Sequence, residues 1–137
     1  MTRECRHLSV SIECKAAQAY AWLAVPENFP QWAAGLATSL REVDGEWLAE
    51  TPFGPMRIVF SPSNGFGVLD HWVYPAAGGE VYVPLRVVPD GEGCELILTL
   101  FRMPDMTDGK FAADAELVQR DLKFAKKLLE YGPGRKR

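Results

Sequence analysis

The chain has 137 residues, a length that suits one domain, and its 47% hydrophobic content supplies a core that needs neither metal nor disulfides. Its 15 basic and 18 acidic side chains give a net charge of -3 and are scattered along the chain, which argues against nucleic acid as the main partner. The 3 cysteines lack Cys-x-x-Cys spacing and no apolar run approaches about 18 residues, so we expect a soluble, cytoplasmic protein without membrane insertion.

The first predicted elements are a strand and two short helices. Leu8, Val10 and Ile12 alternate with polar residues, which is the period of a half-buried strand. The alanine-rich "AAQAYAWLA", residues 16–24, predicts a short helix that ends before the next proline. The following "PENFPQW", residues 26–32, has proline at a first-turn position and predicts a second, very short helix that carries Phe29 and Trp32.

Residues 37–103 read as short β-type runs separated by turns. The turn signals are Asp44-Gly45, "TPFGP", "SPSNGFG", "PAAGG" and "PDGEG". Six strands in succession, each joined to the next by a short turn, predict an antiparallel meander. Pro84 interrupts the run "EVYVPLRVV" and predicts a β-bulge in that strand.

The last element is an amphipathic helix from about Gly109 to Tyr131. Its apolar residues recur at spacings of three and four, at Phe111, Ala115, Val118, Leu122, Ala125 and Leu129. Gly132 and Pro133 end the helix, so a single domain spans residues 1–131 and residues 132–137 form a flexible basic tail. Only a sheet is large enough to cover the apolar stripe of this helix.

This order of elements, from "HLSVSIECKAAQAYAWLAVPENFPQW" to the closing helix, resembles the START-related superfamily SRPBCC. That superfamily includes birch-pollen-allergen-like proteins and bacterial polyketide cyclase or dehydratase-type members. The resemblance implies an α+β helix-grip fold, in which a seven-stranded antiparallel sheet curls around the C-terminal helix and two short helices follow the first strand. It also implies an apolar cavity between sheet and helix that binds a small ligand, with no cofactor.

Strand alternation assigns the side chains that face this cavity. The predicted ligand-binding residues are inward-facing apolar residues of the strands, two aromatic residues of the second short helix, two residues of the long helix and one histidine: Phe29, Trp32, Met56, Ile58, Phe60, Leu69, His71, Val73, Val83, Leu85, Leu98, Val118 and Leu122. The same residues could equally form a packed core, because protein interiors are close-packed by default.

The segment "GVLDHWVYP" places an acid beside one of only two histidines. Neighbours on a strand face opposite ways, so we expect His71 to point inward and Asp70 to point to solvent, where it would pair with Arg57 or Arg86 in a weak surface contact. If Asp70 faced inward instead, Trp72 and Tyr74 would accompany it and make the pocket aromatic and polar. His71 is the candidate general acid–base, while a buried neutral histidine bonded to a backbone carbonyl or a nearby hydroxyl is the weightier alternative.

Three functions remain open at this point. The first is binding of a largely apolar ligand such as a lipid, an isoprenoid or an aromatic polyketide-like compound. The second is a cyclase or dehydratase-type enzyme that uses His71, with Tyr20, Tyr82 or Thr99 as polar helpers; the third is a protein-interaction or chaperone-activator module. Cys5 and His7 are two soft ligands, but no third lies at zinc-site spacing, so we predict no metal site. A homo-oligomer is compatible with the sequence.

Overall fold

The computed structural model describes residues 1–135 of the chain. The chain begins with β1 (Cys5–Ile12) and α1 (Ala16–Leu23), followed by a 3-10 turn (Pro26–Asn28) that runs into the single helical turn α2 (Phe29–Trp32). It ends with the long helix α3 (Asp108–Tyr131). Between them lie β2 (Ser39–Val43), β3 (Glu46–Thr51), β4 (Gly54–Phe60), β5 (His71–Pro75), β6 (Val81–Val83), β7 (Leu85–Asp90) and β8 (Gly93–Phe101).

All the paired strands are antiparallel, in the orders β2-β3-β4-β5-β6 and β1-β8-β7. Pro84 alone separates β6 from β7, and the register is the same on both sides of it. His71 faces Val83 on one side, and Val68 pairs with Arg86 on the other. The segments β6 and β7 therefore form one strand interrupted at Pro84. This strand joins the two groups of paired strands into the predicted seven-stranded arrangement.

The predicted β-bulge at Pro84 is wrong. Proline has no N–H group, so it removes a hydrogen bond from the ladder, but this requires no extra residue. The carbonyl of Pro84 still accepts a hydrogen bond from the Thr99 N–H at 3.1 Å. The strand is interrupted without a shift of register.

The long helix α3 packs against β1, β8 and α2. The Thr107 hydroxyl caps its first turn by accepting a hydrogen bond from the Lys110 N–H at 3.1 Å. The buried positions of the helix follow the predicted stripe, at Phe111, Ala115, Leu122, Ala125 and Leu129. An α+β fold with two short helices after β1 and a long C-terminal helix on an antiparallel sheet is thus confirmed.

The start of the predicted basic tail lies against the end of α3. The N–H groups of Gly132 and Gly134 both donate to the carbonyl of Leu128 at 3.0 Å, and Gln18 donates its side-chain amide to the Gly134 carbonyl. Residues 136 and 137 of that tail lie outside the described residues.

Candidate functional site

The predicted ligand-binding residues lie together in the core between the sheet and the helices. Most are buried: Phe29, Trp32, Ile58, Leu69, His71, Val73, Leu85, Leu98 and Leu122. The others, Met56, Phe60, Val83 and Val118, are half-buried and pack against the same apolar cluster. Alternation thus places these side chains on the inner face, where they can form either a core or a ligand site.

Two clefts described in the structure open at the surface rather than inside this cluster. One, of about 350 Å³, lies between the start of α1 and the end of α3 and is lined largely by polar residues such as Glu13, Lys15 and Glu130. The other, of about 230 Å³, lies beside the β3–β4 pair and includes Trp47. Of the predicted ligand-binding set, Ile58 and Phe60 line the second cleft, and neither cleft lies between the sheet and α3.

His71 points inward among aromatic rings. Its imidazole meets the Phe29 ring edge-on at a centroid distance of 5.3 Å and lies 6.1 Å from the Phe60 ring. Its Nδ1 lies 3.2 Å from the carbonyl oxygen of Leu69, so the neutral ring donates from Nδ1 to that oxygen. Burial lowers the pKa of His71 to about 4, although the Leu69 carbonyl and the Asp70 carboxylate act in the opposite direction. The ring is therefore neutral near pH 7.

Asp70 lies on the opposite face of the strand, but it is only 5% exposed, so the prediction that it points into solvent is wrong. Tyr82 of β6 and Arg86 of β7 cover the Asp70 carboxylate on the outer face of the sheet. The Tyr82 hydroxyl donates to it at 2.7 Å, and Arg86 binds both of its oxygens through Nε at 2.8 Å and Nη2 at 2.7 Å. Arg86 is one of the two arginines predicted to pair with Asp70. The other predicted arginine, Arg57, lies over the Tyr74 ring at 4.2 Å.

The Asp70 carboxylate is held strongly in its charged form. Burial alone raises the pKa of Asp70, but hydrogen bonds from Arg86, Tyr82 and the Leu85 N–H outweigh that effect and bring it to about 2. A bidentate, charge-assisted pair of this kind is stronger than an exposed ion pair. The Asp70–Arg86 pair is therefore part of the folded structure rather than the weak surface contact that strand alternation predicted.

Asp70 and His71 together complete the sheet beside Pro84. Leu69 lies opposite Leu85, and the Leu69 N–H donates to the Leu85 carbonyl at 2.8 Å, as in a regular antiparallel ladder. The Leu85 N–H donates instead to Asp70 Oδ1 at 2.9 Å, and the Leu69 carbonyl receives His71 Nδ1. The two side chains thus satisfy the two backbone groups that would otherwise bond to each other.

The three candidate polar helpers form hydrogen bonds away from His71. Tyr82 binds Asp70 on the outer face, and the Thr99 hydroxyl lies 2.9 Å from His7 Nδ1. The Tyr20 hydroxyl accepts a hydrogen bond from the Asn64 N–H at 2.9 Å. Within the described residues, none of these three side chains makes a hydrogen bond to His71.

Two polar features near α2 are evident only in the structure, although Trp32 itself belongs to the predicted ligand-binding set. The indole Nε1 of Trp32 is buried and has no hydrogen-bond partner among residues 1–135. Asp121 of α3 accepts a hydrogen bond from the Gly35 N–H at 3.3 Å, and burial raises its pKa to about 6 despite the opposing effects of that bond and of Arg120. No sequence pattern marks either group, because each depends on how α2 and α3 meet.

The described residues contain no group of three or more metal-ligating side chains that could hold an ion. Among residues 1–135, no helix is long and apolar enough to cross a membrane.

Comparisons with solved structures define the class of fold. The chain is similar to DynU16, a protein in the dynemicin biosynthetic locus (TM-score 0.71, 15% identity, 96% of this chain and 49% of that one). It is also similar to Ara h 8.0201 (TM-score 0.65, 11% identity, 92% and 97% of the two chains). A START superfamily protein from Mycobacterium smegmatis gives a TM-score of 0.58 at 15% identity, over 92% and 94% of the chains.

These likenesses show that the chain has the SRPBCC, or birch-pollen-allergen-like, fold. The chain spans about half the length of DynU16. No protein-family model and no curated protein matches the sequence, so the likeness to these proteins rests on the fold alone.

Proposed function

We propose that the protein binds a small, largely apolar ligand with one hydrogen-bond-accepting oxygen, between the sheet and α3. Lipids, isoprenoids and aromatic polyketide-like compounds fall in this class. The observation that carries the proposal is the buried indole N–H of Trp32, which has no partner among the described residues. A buried donor without an acceptor costs about 1–3 kcal/mol, and a ligand oxygen at Nε1 would remove that cost.

The surroundings of Trp32 suit an apolar ligand. Phe29 meets the Trp32 ring edge-on at 5.4 Å, and it meets the Phe60 ring in the same way at 5.5 Å. Half-buried Met56 and Phe60 pack against the buried apolar core, and methionine adapts readily to irregular spaces. Because α2 is a single turn, we infer that a ligand enters beside it, by displacing this turn from α3.

The test compares two ligands of matched shape that differ in one oxygen, benzophenone and diphenylmethane. Binding is measured by calorimetry with the unaltered protein, with Trp32→Phe and with the control Trp47→Phe, whose indole lies at the second surface cleft. We expect benzophenone to bind about tenfold more tightly than diphenylmethane, which corresponds to one hydrogen bond.

Trp32→Phe should abolish this tenfold preference while Trp47→Phe keeps it. Equal affinity of the unaltered protein for the two compounds would contradict the proposal, and so would a preference that survives in Trp32→Phe.

The two other functions remain predictions. An acid–base role for His71 would require its Nδ1 to leave the Leu69 carbonyl, or its Nε2 to meet a substrate within the aromatic cluster. A protein-interaction role would require a continuous apolar surface. The most exposed aromatic residues, Phe53, Phe66 and Tyr131, lie in two separate loops and at the end of α3.

A further inference from the structure

Cys5, His7 and Thr99 form a chain of side chains on the outer face of the sheet, away from the proposed ligand site. The Sγ of Cys5 lies 3.9 Å from His7 Nε2, and His7 Nδ1 lies 2.9 Å from the Thr99 hydroxyl oxygen. The pairing of β1 with β8 fixes this arrangement, because His7 is directly opposite Thr99 and Cys5 is two residues away on the same face.

The hydrogen bond between His7 and Thr99 allows two tautomers of His7, because the Thr99 hydroxyl can either accept from Nδ1–H or donate to Nδ1. When Nδ1–H donates to the Thr99 oxygen, Nε2 presents its lone pair to the Cys5 thiol. A histidine base beside a thiol can accept the proton as the sulfur reacts, and the thiolate is the nucleophilic form of cysteine. Cys5 is partly exposed and His7 is exposed, so small molecules can reach the sulfur.

The surface around Cys5 carries an aromatic ring and a cation. Phe101 lies directly opposite Cys5 in the sheet, and the guanidinium of Arg3 lies 4.7 Å from the centre of its ring. The nearest acidic side chain along the strand, Glu4, is paired with Arg102 at 2.9 Å. Arg3 therefore favours a reagent that carries negative charge.

We propose that Cys5 is a site of S-thiolation by anionic low-molecular-weight disulfides of the glutathione type. His7 takes the thiol proton, and the Cys5 thiolate attacks one sulfur of the disulfide. A sulfur–sulfur bond forms between Cys5 and that half of the reagent as the reagent's own sulfur–sulfur bond breaks. The other half leaves as a thiolate and takes the proton from His7. Cys5 is oxidised to a mixed disulfide, and the leaving half of the reagent is reduced to a thiol.

Cys14 and Cys94 serve as internal controls for this chemistry. Both thiols are buried in the core, where burial raises the pKa of each. A buried thiol held in its neutral form reacts slowly.

The experiment measures mixed-disulfide formation with oxidised glutathione at pH 7 by intact-protein mass spectrometry, with the modified residue assigned by peptide mapping. We expect one adduct, at Cys5, and no adduct in Cys5→Ser. His7→Asn should slow the reaction at least about tenfold, because asparagine cannot accept the thiol proton. An unchanged rate in His7→Asn, or first reaction at Cys14 or Cys94, would overturn the proposal.

Two further comparisons test the parts played by Thr99 and Arg3. Thr99→Val should slow the reaction and Thr99→Ser should restore it, because serine keeps the hydroxyl; equal rates in the two variants would exclude orientation of His7 by Thr99. Oxidised glutathione should react faster than the cationic disulfide cystamine, and Arg3→Gln should reduce that difference. If cystamine reacted as fast as oxidised glutathione, the preference for anionic reagents would be wrong.

Discussion

Asp70 and His71 are neighbours in sequence that act on opposite faces of the same strand. Asp70 accepts the Leu85 N–H on the outer face, and His71 donates to the Leu69 carbonyl on the inner face. Both bonds lie beside Pro84, where the regular ladder is interrupted. The pair therefore has a structural explanation that does not depend on catalysis, although a catalytic role for His71 remains testable.

Replacing Asp70 by Asn should lower the free energy of unfolding by about 2 kcal/mol. The amide keeps the size of the side chain but loses the charge that binds Arg86 at both oxygens, and the remaining contacts are weaker. Urea denaturation at pH 7 measures the change. The matched control is Asp90→Asn at the exposed end of β7, which should shift stability by less than about 0.5 kcal/mol. Similar losses in the two variants would show that the Arg86 pair contributes little.

The turn at residues 61–68 positions the start of β5. The Asn64 side-chain oxygen accepts hydrogen bonds from the N–H groups of Phe66 and Val68, and its amide donates to the Val68 carbonyl. Gly67 follows with a φ of +71°, and a Cβ placed there would lie 2.3 Å from the Val87 carbonyl oxygen. This close approach brings the turn into register with β7 and fixes where Asp70 and His71 fall.

Gly67→Ala should therefore destabilise the protein by more than about 2 kcal/mol, through backbone strain and the clash with Val87 combined. Gly78→Ala is the matched control, because Gly78 also has a positive φ, +105°, but its Cβ would meet nothing within 4 Å. Thermal unfolding of the two variants separates the effects. If Gly78→Ala were as costly as Gly67→Ala, strain in φ alone would account for the loss.

Across the whole molecule, buried His71 and half-buried Asp121 respond to pH in opposite ways. The pKa of His71 is lowered from 6.5 to about 4, so the unfolded chain binds its proton first and stability is lost as pH falls from about 6.5 towards 4. The pKa of Asp121 is raised from 3.8 to about 6, so the folded chain binds its proton first and stability is lost as pH rises from about 4 to 6. Between pH 4 and 6 the two effects oppose each other.

We expect the stability of the unaltered protein to change little between pH 4 and 6, and single substitutions to reveal the two slopes. In Asp121→Asn the free energy of unfolding should rise with pH over this range, by up to ~1.4 kcal/mol per pH unit. In His71→Leu it should fall with pH by a similar amount. Denaturation curves at pH 4, 5 and 6 provide the measurement, with His7→Asn as the control for an exposed histidine. Slopes of the same sign in Asp121→Asn and His71→Leu would contradict the expectation.

The sequence by itself determined the order of elements, the buried stripe of α3 and the inward set of side chains, including His71. These follow from local periodicity, proline and glycine, which act over a few residues. Only the tertiary structure decided that Asp70 is buried, because Tyr82 and Arg86 reach it from another strand. The unpartnered indole of Trp32, the Gly35–Asp121 contact and the Cys5–His7–Thr99 chain also depend on contacts between distant segments. Alternation assigns a side chain to a face of the sheet, whereas the cover and the partners that it finds there depend on packing.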